Sequence, residues 1–240
     1  MKIIDISSHN GYIDFEKVKA DGVEGVIIRA GYGVQEDNKA VQNIQGCVKA
    51  GLPFGLYLYS YATTENSGYE EIEFMREFIR KYDLYPELPV YIDMEDADNY
   101  KLNKGKPLSK FPQLYTNICE NFCREIQNDG FYVGIYASES VFKSILKMED
   151  LEPYDLWVAK WSSNKPIVRH NLWQYSSDGK VNGIAGRVDM NQSKINFPEI
   201  IKARGLNKWV TESKVDIMIN QVTLSQVDAL SDMGFDITIL

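Results

Sequence analysis

GVIIRA (Gly25–Ala30), NKAVQNIQGCVKAG (Asn38–Gly51) and PFGLYLYSYA (Pro53–Ala62) follow one another closely near the start of the chain. The outer two are short apolar runs with β-branched and aromatic residues, as strands require, and the middle one is helical in pattern over Lys39–Ala50. Gly51-Leu-Pro53 ends that helix before the next strand begins. Strand, helix, strand in this order is a right-handed βαβ unit with parallel strands. The same rhythm extends in both directions. Strands are expected at Lys2–Ser7, Pro89–Glu95, Phe131–Ser138, Asp155–Trp161, Asn171–Ser177 and Arg187–Asn191, and helices at Asp14–Asp21, Gly68–Tyr82, Gln113–Asp129 and Ser138–Lys147. Eight strands in about 200 residues predict an α/β fold closed into a TIM-like β/α barrel, with a doubly wound open sheet as the competing arrangement. Segments after Asp155 are too short for full helices, so the last part of the barrel should be irregular.

A final helix, Pro198–Arg204, should close the barrel domain, 1–205, near Gly205. The tail, 206–240, reads differently. Lys214–Asn220 alternates like a strand, Ser225–Met233 is helix-like, and Asp236–Leu240 is a short apolar piece. Some 35 residues cannot build a core alone, so the tail should pack on the barrel, on a second copy as a homodimer contact, or on a wall component.

The bulk numbers exclude more than they assign. A net charge of −8 argues against nucleic acid as partner, which demands a basic stripe. The 15 Tyr and 4 Trp suit carbohydrate, gripped by aromatic faces and hydrogen bonds. Cys47, Cys119 and Cys123 are odd in number and make a poor disulfide framework, so buried free thiols are expected. His9 and His170 offer no zinc site, and no metal or cofactor is expected. No apolar run approaches the ~20 residues of a membrane helix, and MKIIDISSHNG runs straight into a strand without a signal-peptide pattern. The expectation is a protein made in the cytoplasm without a membrane anchor, which, if its target lies outside the membrane, must be let out by another agent.

In a parallel barrel the chemistry sits at the carboxyl ends of the strands. The fourth strand ends VYIDMED (Val90–Asp96), where alternation sets Tyr91, Asp93 and Glu95 on one face and Ile92 and Met94 on the other. Two carboxylates on one face of an apolar strand, with no cation nearby in the segment, are costly as mere structure. Asp5 lies between Ile4 and Ile6 on the first strand, and Asp189 between Val188 and Met190 on the last. Barrel closure makes those two strands neighbours, so four acids from three strands should meet at one mouth. Crowding raises the pKa of at least one, and a protonated acid beside ionised ones is the equipment for glycosidic cleavage. Tyr57, Tyr59, Tyr61, Tyr136, Trp157, Trp161, Trp173 and Tyr175 fall on the third, fifth, sixth and seventh strands. Tyr57, Tyr136, Trp161 and Trp173 are the candidates for stacking on sugar rings.

DISSHNG (Asp5–Gly11), VIIRAGYG (Val26–Gly33), GLY (Gly55–Tyr57), YIDME (Tyr91–Glu95), GIY (Gly134–Tyr136), LWVA (Leu156–Ala159), LWQY (Leu172–Tyr175) and VDMN (Val188–Asn191) come in an order and spacing that resembles the glycoside hydrolase family 25 lysozymes, common among phage endolysins. The resemblance covers about residues 1–205. It implies an irregular barrel of five β/α units followed by strands with little helix. It also implies hydrolysis of the β-1,4 bond between N-acetylmuramic acid and N-acetylglucosamine in peptidoglycan. By this resemblance Glu95 is the general acid, Asp93 orients or polarises the 2-acetamido group, and Asp5 and Asp189 position groups and tune charge. A substrate-assisted route is preferred, with a direct inverting route as the alternative. Two other functions fit the acids themselves: a metal-dependent hydrolase holding Mg²⁺ or Ca²⁺ in an oxygen cage, and a glycan-binding barrel without catalysis.

Overall fold

A computed structural model describes residues 1–209. The expected strand and helix pieces of residues 210–240, and the homodimer contact attributed to that tail, lie outside the described residues.

Five strands each deliver the chain to a helix. They are β1 (Lys2–Ile6) to α1 (Phe15–Ala20), β2 (Gly25–Tyr32) to α2 (Ala40–Ala50) by way of a two-residue β3 (Gln35–Glu36), and β4 (Phe54–Tyr59) to α3 (Glu65–Lys81). Next, β5 (Val90–Asp93) leads through a single turn, α4 (Tyr100–Asn103), to α5 (Pro112–Asn128), and β6 (Val133–Ser138) to α6 (Glu139–Ser144). Then β7 (Asp155–Ala159), β8 (Leu172–Gly179) and β9 (Val188–Ser193) follow without intervening helices, and α7 (Phe197–Ala203) ends the set. Eight strands close in the order β1-β9-β8-β7-β6-β5-β4-β2, with β1 paired back to β2 and β3 hooked antiparallel on β2. The barrel and its irregular last third agree with the sequence reading.

The direction of β9 differs from a wholly parallel barrel. It runs antiparallel to both β8 and β1. Only a strand entering at the mouth can fill this slot, because the connection from β8 carries no helix to bring the chain back to the floor. The fourth expected strand is also shorter than the pattern suggested: β5 stops at Asp93, and Glu95 lies just beyond it.

Alternation sorts side chains into two cores. Val26, Ile28, Leu56, Leu58, Ile92 and Ile135 point outward to meet helix residues such as Ile44, Cys47, Ile72, Met75 and Phe122. Ile3, Ile27, Tyr91, Tyr136, Trp157 and Leu172 fill the barrel, with Phe197 and Ile201 of α7 closing its floor. Gly134 makes room for this filling, since a Cβ there would stand 2.5 Å from the Tyr91 ring. All three cysteines are buried and unpaired. The floor continues past Gly205: Asn207 is buried, donates to the carbonyls of Pro86 (2.9 Å) and Leu88 (3.1 Å), and accepts from the Tyr132 N–H (2.7 Å). The chain is therefore still part of the barrel beyond the boundary expected at 205, because a buried side chain satisfies main-chain groups there. No helix among the described residues is long and apolar enough to cross a membrane.

Candidate active site

β1 ends and β9 begins at the same rim, and Asp5 and Asp189 are direct partners across the pair. The reversal of β9 makes this work, since Asp189 enters at the start of a strand while the other acids sit at strand ends. Asp93, at the end of β5, is 4% exposed, and Glu95, two residues on, is half-buried. The four carboxyls interact electrostatically: Asp5 with Asp189 and Glu95, Asp93 with Glu95 and Asp5, and Glu95 with Asp189.

Burial, then the Asp189 carboxylate, pushes Asp5 up to about 8 against the pull of two amide donors. Burial raises Asp189 to about 6, with Arg187 opposing. Burial also raises Glu95 to about 7, with Lys101 opposing and Asp189, Asp98 and Asp96 adding to the rise. Asp93 is driven well above the usual carboxylate range by burial and by Glu95, and its Oδ1 is buried without a hydrogen-bond partner among the described residues. Asp93 and Glu95 therefore hold at least one proton between them at neutral pH, titrating as a pair.

Asp5 is gripped by a fixed network. Gln174 Nε2 donates to Asp5 Oδ2 at 3.0 Å and Asn191 Nδ2 to the same oxygen at 2.8 Å. An indole N–H can only donate, which settles both amide orientations. Trp157 Nε1 donates to Asn191 Oδ1 (2.7 Å), and Trp161 Nε1 donates to Gln174 Oε1 (3.0 Å) beside the Tyr136 hydroxyl (3.0 Å). With Oδ2 occupied by two donors, a proton on Asp5 is carried on Oδ1.

The expected aromatic residues divide. Tyr136 and Trp161 join the Asp5 network, and Trp161 is 63% exposed at the rim. Tyr57 lies lower, half-buried, its ring edge-on to Trp157 at 6.0 Å. Trp173 is a correction. It alternates with Gln174 and Leu172, both turned inward, so it faces out of the barrel, its Nε1 bonded to the Lys160 carbonyl and its ring against Tyr175. It is not brought together with the acids.

Tyr59 and Tyr61 are among the strand-end aromatics named from sequence, whereas Gln174, Asn191, Arg29 and Lys101 escape that reading. Gln174 and Asn191 stood inside quoted motifs, but nothing local marked them as partners of Asp5. Tyr59 and Tyr61 both reach Asp98 (3.4 and 2.6 Å), and Tyr61 stacks on Tyr100 with centroids 4.2 Å apart, giving one side of the mouth an aromatic wall. Arg29, on the β2 face that looks inward, is paired with buried Asp37 at 2.8 Å and bonded to Ser8 Oγ at 3.1 Å. Lys101 is wholly buried behind Glu95. The segment Val90–Asp96 carries no cation of its own, as expected, but folding of the polar stretch after β5 brings Lys101 in behind it.

A cavity of about 750 Å³ lies elsewhere, near the barrel floor between α2 and the α3–β5 connection, with Trp209 on its rim. Its lining is mostly apolar and holds no cluster of acids, so burial and charge place the chemistry at the mouth instead. Among the described residues no group of three or more His, Cys, Asp or Glu is arranged to hold a metal ion.

The buried acids make stability depend on pH. Asp5 (about 8), Glu95 and Glu71 (about 7), and Asp189 and Asp155 (about 6) are all raised. Unfolded, such groups titrate near ~4. Between ~4 and ~8 the folded chain thus holds protons that the unfolded chain has released, and stability falls as pH rises. The urea midpoint should drop steadily from pH 5 to pH 8, and Asp5→Asn, a neutral mimic of the protonated acid, should flatten the slope. A midpoint that climbs with pH, or a slope unchanged in Asp5→Asn, contradicts this account.

Comparison with known proteins agrees with the geometry. The Clostridium acetobutylicum "autolytic lysozyme" is 30% identical over 195 residues, which is 80% of this chain and 55% of that protein. The modular autolysin LytC of Streptococcus pneumoniae, solved with a synthetic peptidoglycan ligand, superposes with a TM-score of 0.71 at 33% identity, covering 79% of this chain and 46% of that one. A bacterial lysozyme from Streptomyces coelicolor shares the fold, with a TM-score of 0.70 at 20% identity over 88% of this chain and 98% of that one. The chain thus spans about half the length of the first two of these relatives. A sequence model of the glycosyl hydrolases family 25 matches residues 4–184, a stretch that carries Asp5, Asp93, Glu95 and Gln174 at the mouth of a barrel shared with solved members, and the chain belongs to that family.

Proposed function

We propose that this chain is a muramidase that hydrolyses the β-1,4 bond between N-acetylmuramic acid and N-acetylglucosamine in peptidoglycan, with Glu95 as proton donor. The observation that carries the reading is a half-buried Glu95 raised to about 7 among Asp93, Asp189 and Asp5, at an open mouth walled by tyrosines. Family membership and the peptidoglycan ligand of the pneumococcal autolysin support the substrate class.

In the preferred route the 2-acetamido oxygen of the muramic acid residue attacks C1 as the bond from C1 to the leaving oxygen breaks. Glu95 gives its proton to that oxygen. Asp93 accepts a hydrogen bond from the acetamide N–H, which favours its ionised form and leaves the shared proton on Glu95. Water then adds at C1 and returns a proton to Glu95. Asp189 lies next to this pair and keeps its proton affinity high by like charge, while Asp5, itself raised to about 8, stays protonated beside it.

Mass spectrometry of fragments released from purified walls tests the reading. New reducing ends should be N-acetylmuramic acid, and EDTA should leave the rate unchanged. N-acetylglucosamine at the new reducing end, loss of activity with EDTA, or glycan binding with no new ends would each overturn it.

A further inference from the structure

Lys101 belongs to α4, a single turn in a polar stretch (YKLNKGK, Tyr100–Lys106) that should lie in solvent, yet its side chain is wholly buried. Its ammonium donates to two main-chain carbonyls, that of Ser60 just after β4 and that of Glu95 itself, the latter at 2.7 Å. Ser60 is tied from other sides as well. Its N–H donates to the Asp93 carbonyl (3.0 Å), and its hydroxyl donates to Glu71 Oε2 of α3 (2.7 Å), whose Oε1 takes the Tyr61 N–H (2.6 Å). Asp96 completes the clasp from below: Oδ1 accepts the Lys101 N–H at 2.7 Å and Oδ2 the Leu102 N–H at 2.9 Å.

The short turn α4 is thus lashed to the very residues that follow β5, and its one buried cation stands directly behind the proton donor. Nothing in the stability of a surface turn calls for this. Burying an ammonium costs several kcal/mol unless its donors and charge are satisfied. Here the Ser60 and Glu95 carbonyls and the nearby Glu71, Asp93 and Asp96 offset part of that cost, while burial still lowers the lysine's own proton affinity.

We propose that Lys101 is a positioning residue for Glu95: its ammonium pins the main chain that presents the Glu95 carboxyl and supplies the positive field that keeps that carboxyl able to release its proton. This rests on the reading of Glu95 as the proton donor. The charged and titratable groups around the two can be named from every neighbouring element. Glu71 faces Lys101 from α3, Asp93 and Asp96 from β5 and its extension, Cys119 from α5, and the Tyr59 ring from β4 at 5.7 Å. Glu95 is faced in turn by Asp189 of β9, by Asp96 and Asp98, and by Asp93 and Asp5, with Tyr59 and Tyr136 also within its field. Asp189, Asp98 and Asp96 push the Glu95 proton affinity upward, as Glu95 in turn does to Asp93 and Asp5. Lys101 opposes them, and it opposes them at Asp93 too. An acid whose proton is held too tightly is a poor donor at the working pH, so a counter-field here serves the chemistry.

The test uses the full 240-residue chain and a soluble peptidoglycan fragment of defined length, with kcat and kcat/KM measured from pH 4 to 9. Lys101→Met removes both donors and charge. It should move the alkaline limb of the profile upward by about one pH unit, because Glu95 then keeps its proton longer. It should also lower kcat at pH 6 by roughly 10- to 100-fold through misplacement of the carboxyl. Lys101→Gln keeps two N–H donors without the charge. It should show the same shift of the limb with most of kcat retained, and it decides the matter if the Met variant fails to fold. A merely structural lysine would lower the melting temperature and leave the limb in place, and a folded variant with an unmoved limb overturns the proposal. Glu95→Gln, measured alongside, separates the two claims. If it is inert while the Lys101 variants keep the parental profile, Lys101 loses its role and the donor assignment stands. If it retains parental hydrolysis, the donor assignment falls and the role of Lys101 falls with it.

Discussion

Glu95→Gln is expected to slow hydrolysis of purified cell walls by ~10²- to 10⁴-fold, the contribution typical of a positioned general acid. The amide has the same shape but no proton to give at any working pH. Folding should survive the change, because no hydrogen bond among the described residues depends on the Glu95 side chain. Removing a carboxyl from a mouth already crowded by Asp93, Asp189 and Asp5 relieves repulsion, so the variant should melt no lower than the parent. Two measurements therefore go together: reducing ends released per minute, which should collapse, and the thermal midpoint, which should hold or rise. Wall clearance at the parental rate would remove Glu95 from the chemistry altogether.

Trp157→Ala should have the largest effect on stability. Trp157 is 1% exposed at the centre of the barrel, with the rings of Tyr57, Tyr91 and Tyr136 at 6.0, 5.2 and 4.5 Å. Truncating a buried aromatic to alanine costs about 3–5 kcal/mol through lost burial and the cavity left behind. Asn191 Oδ1 also loses its indole donor. For a domain of this size the melting temperature should fall by about 6–20 °C. Trp157→Phe, which keeps a ring and loses only the N–H, should cost about 1–3 kcal/mol. It should also lower kcat, because Asn191 is then free to turn away from Asp5. If the Ala variant unfolds within ~1 kcal/mol of the parent, the tryptophan is not what fills the barrel.

Much of the barrel could be read from alternation and punctuation. Gly25–Ala30, Lys39–Ala50 and Pro53–Ala62 hold a strand, a helix and a strand within a few residues of the expected ends, because apolar period and breakers are local properties. Closure made neighbours of the strands that carry Asp5 and Asp189, and the reversal of β9 set the two acids at one rim. What could not be read is what depends on partners distant in sequence. A period of two is the same in either direction along a strand, so the antiparallel run of β9 left no mark. It is also silent on which face is inside, and Trp173, flanked by Leu172 and Gln174, turned outward. Gln174 and Asn191 look like ordinary polar residues until Trp157 and Trp161 fix their amides. Lys101 sits in a lysine-rich stretch, and the general rule that lysines stay in water gave no hint of its burial.

The reversed last strand has a practical corollary. Because β9 descends from the mouth, the chain arrives at the floor by Ser193, where its main chain pairs with that of Met1, and it remains there through Asn207 to Trp209. Met1 and Trp209 are therefore both at the face opposite the carboxyls. A tether, a reporter or a solid support joined at either place would point the acid-bearing rim away from the attachment and toward solvent. Grafting onto the β8–β9 connection, where the polypeptide turns at the rim, would instead set an obstacle beside Asp189.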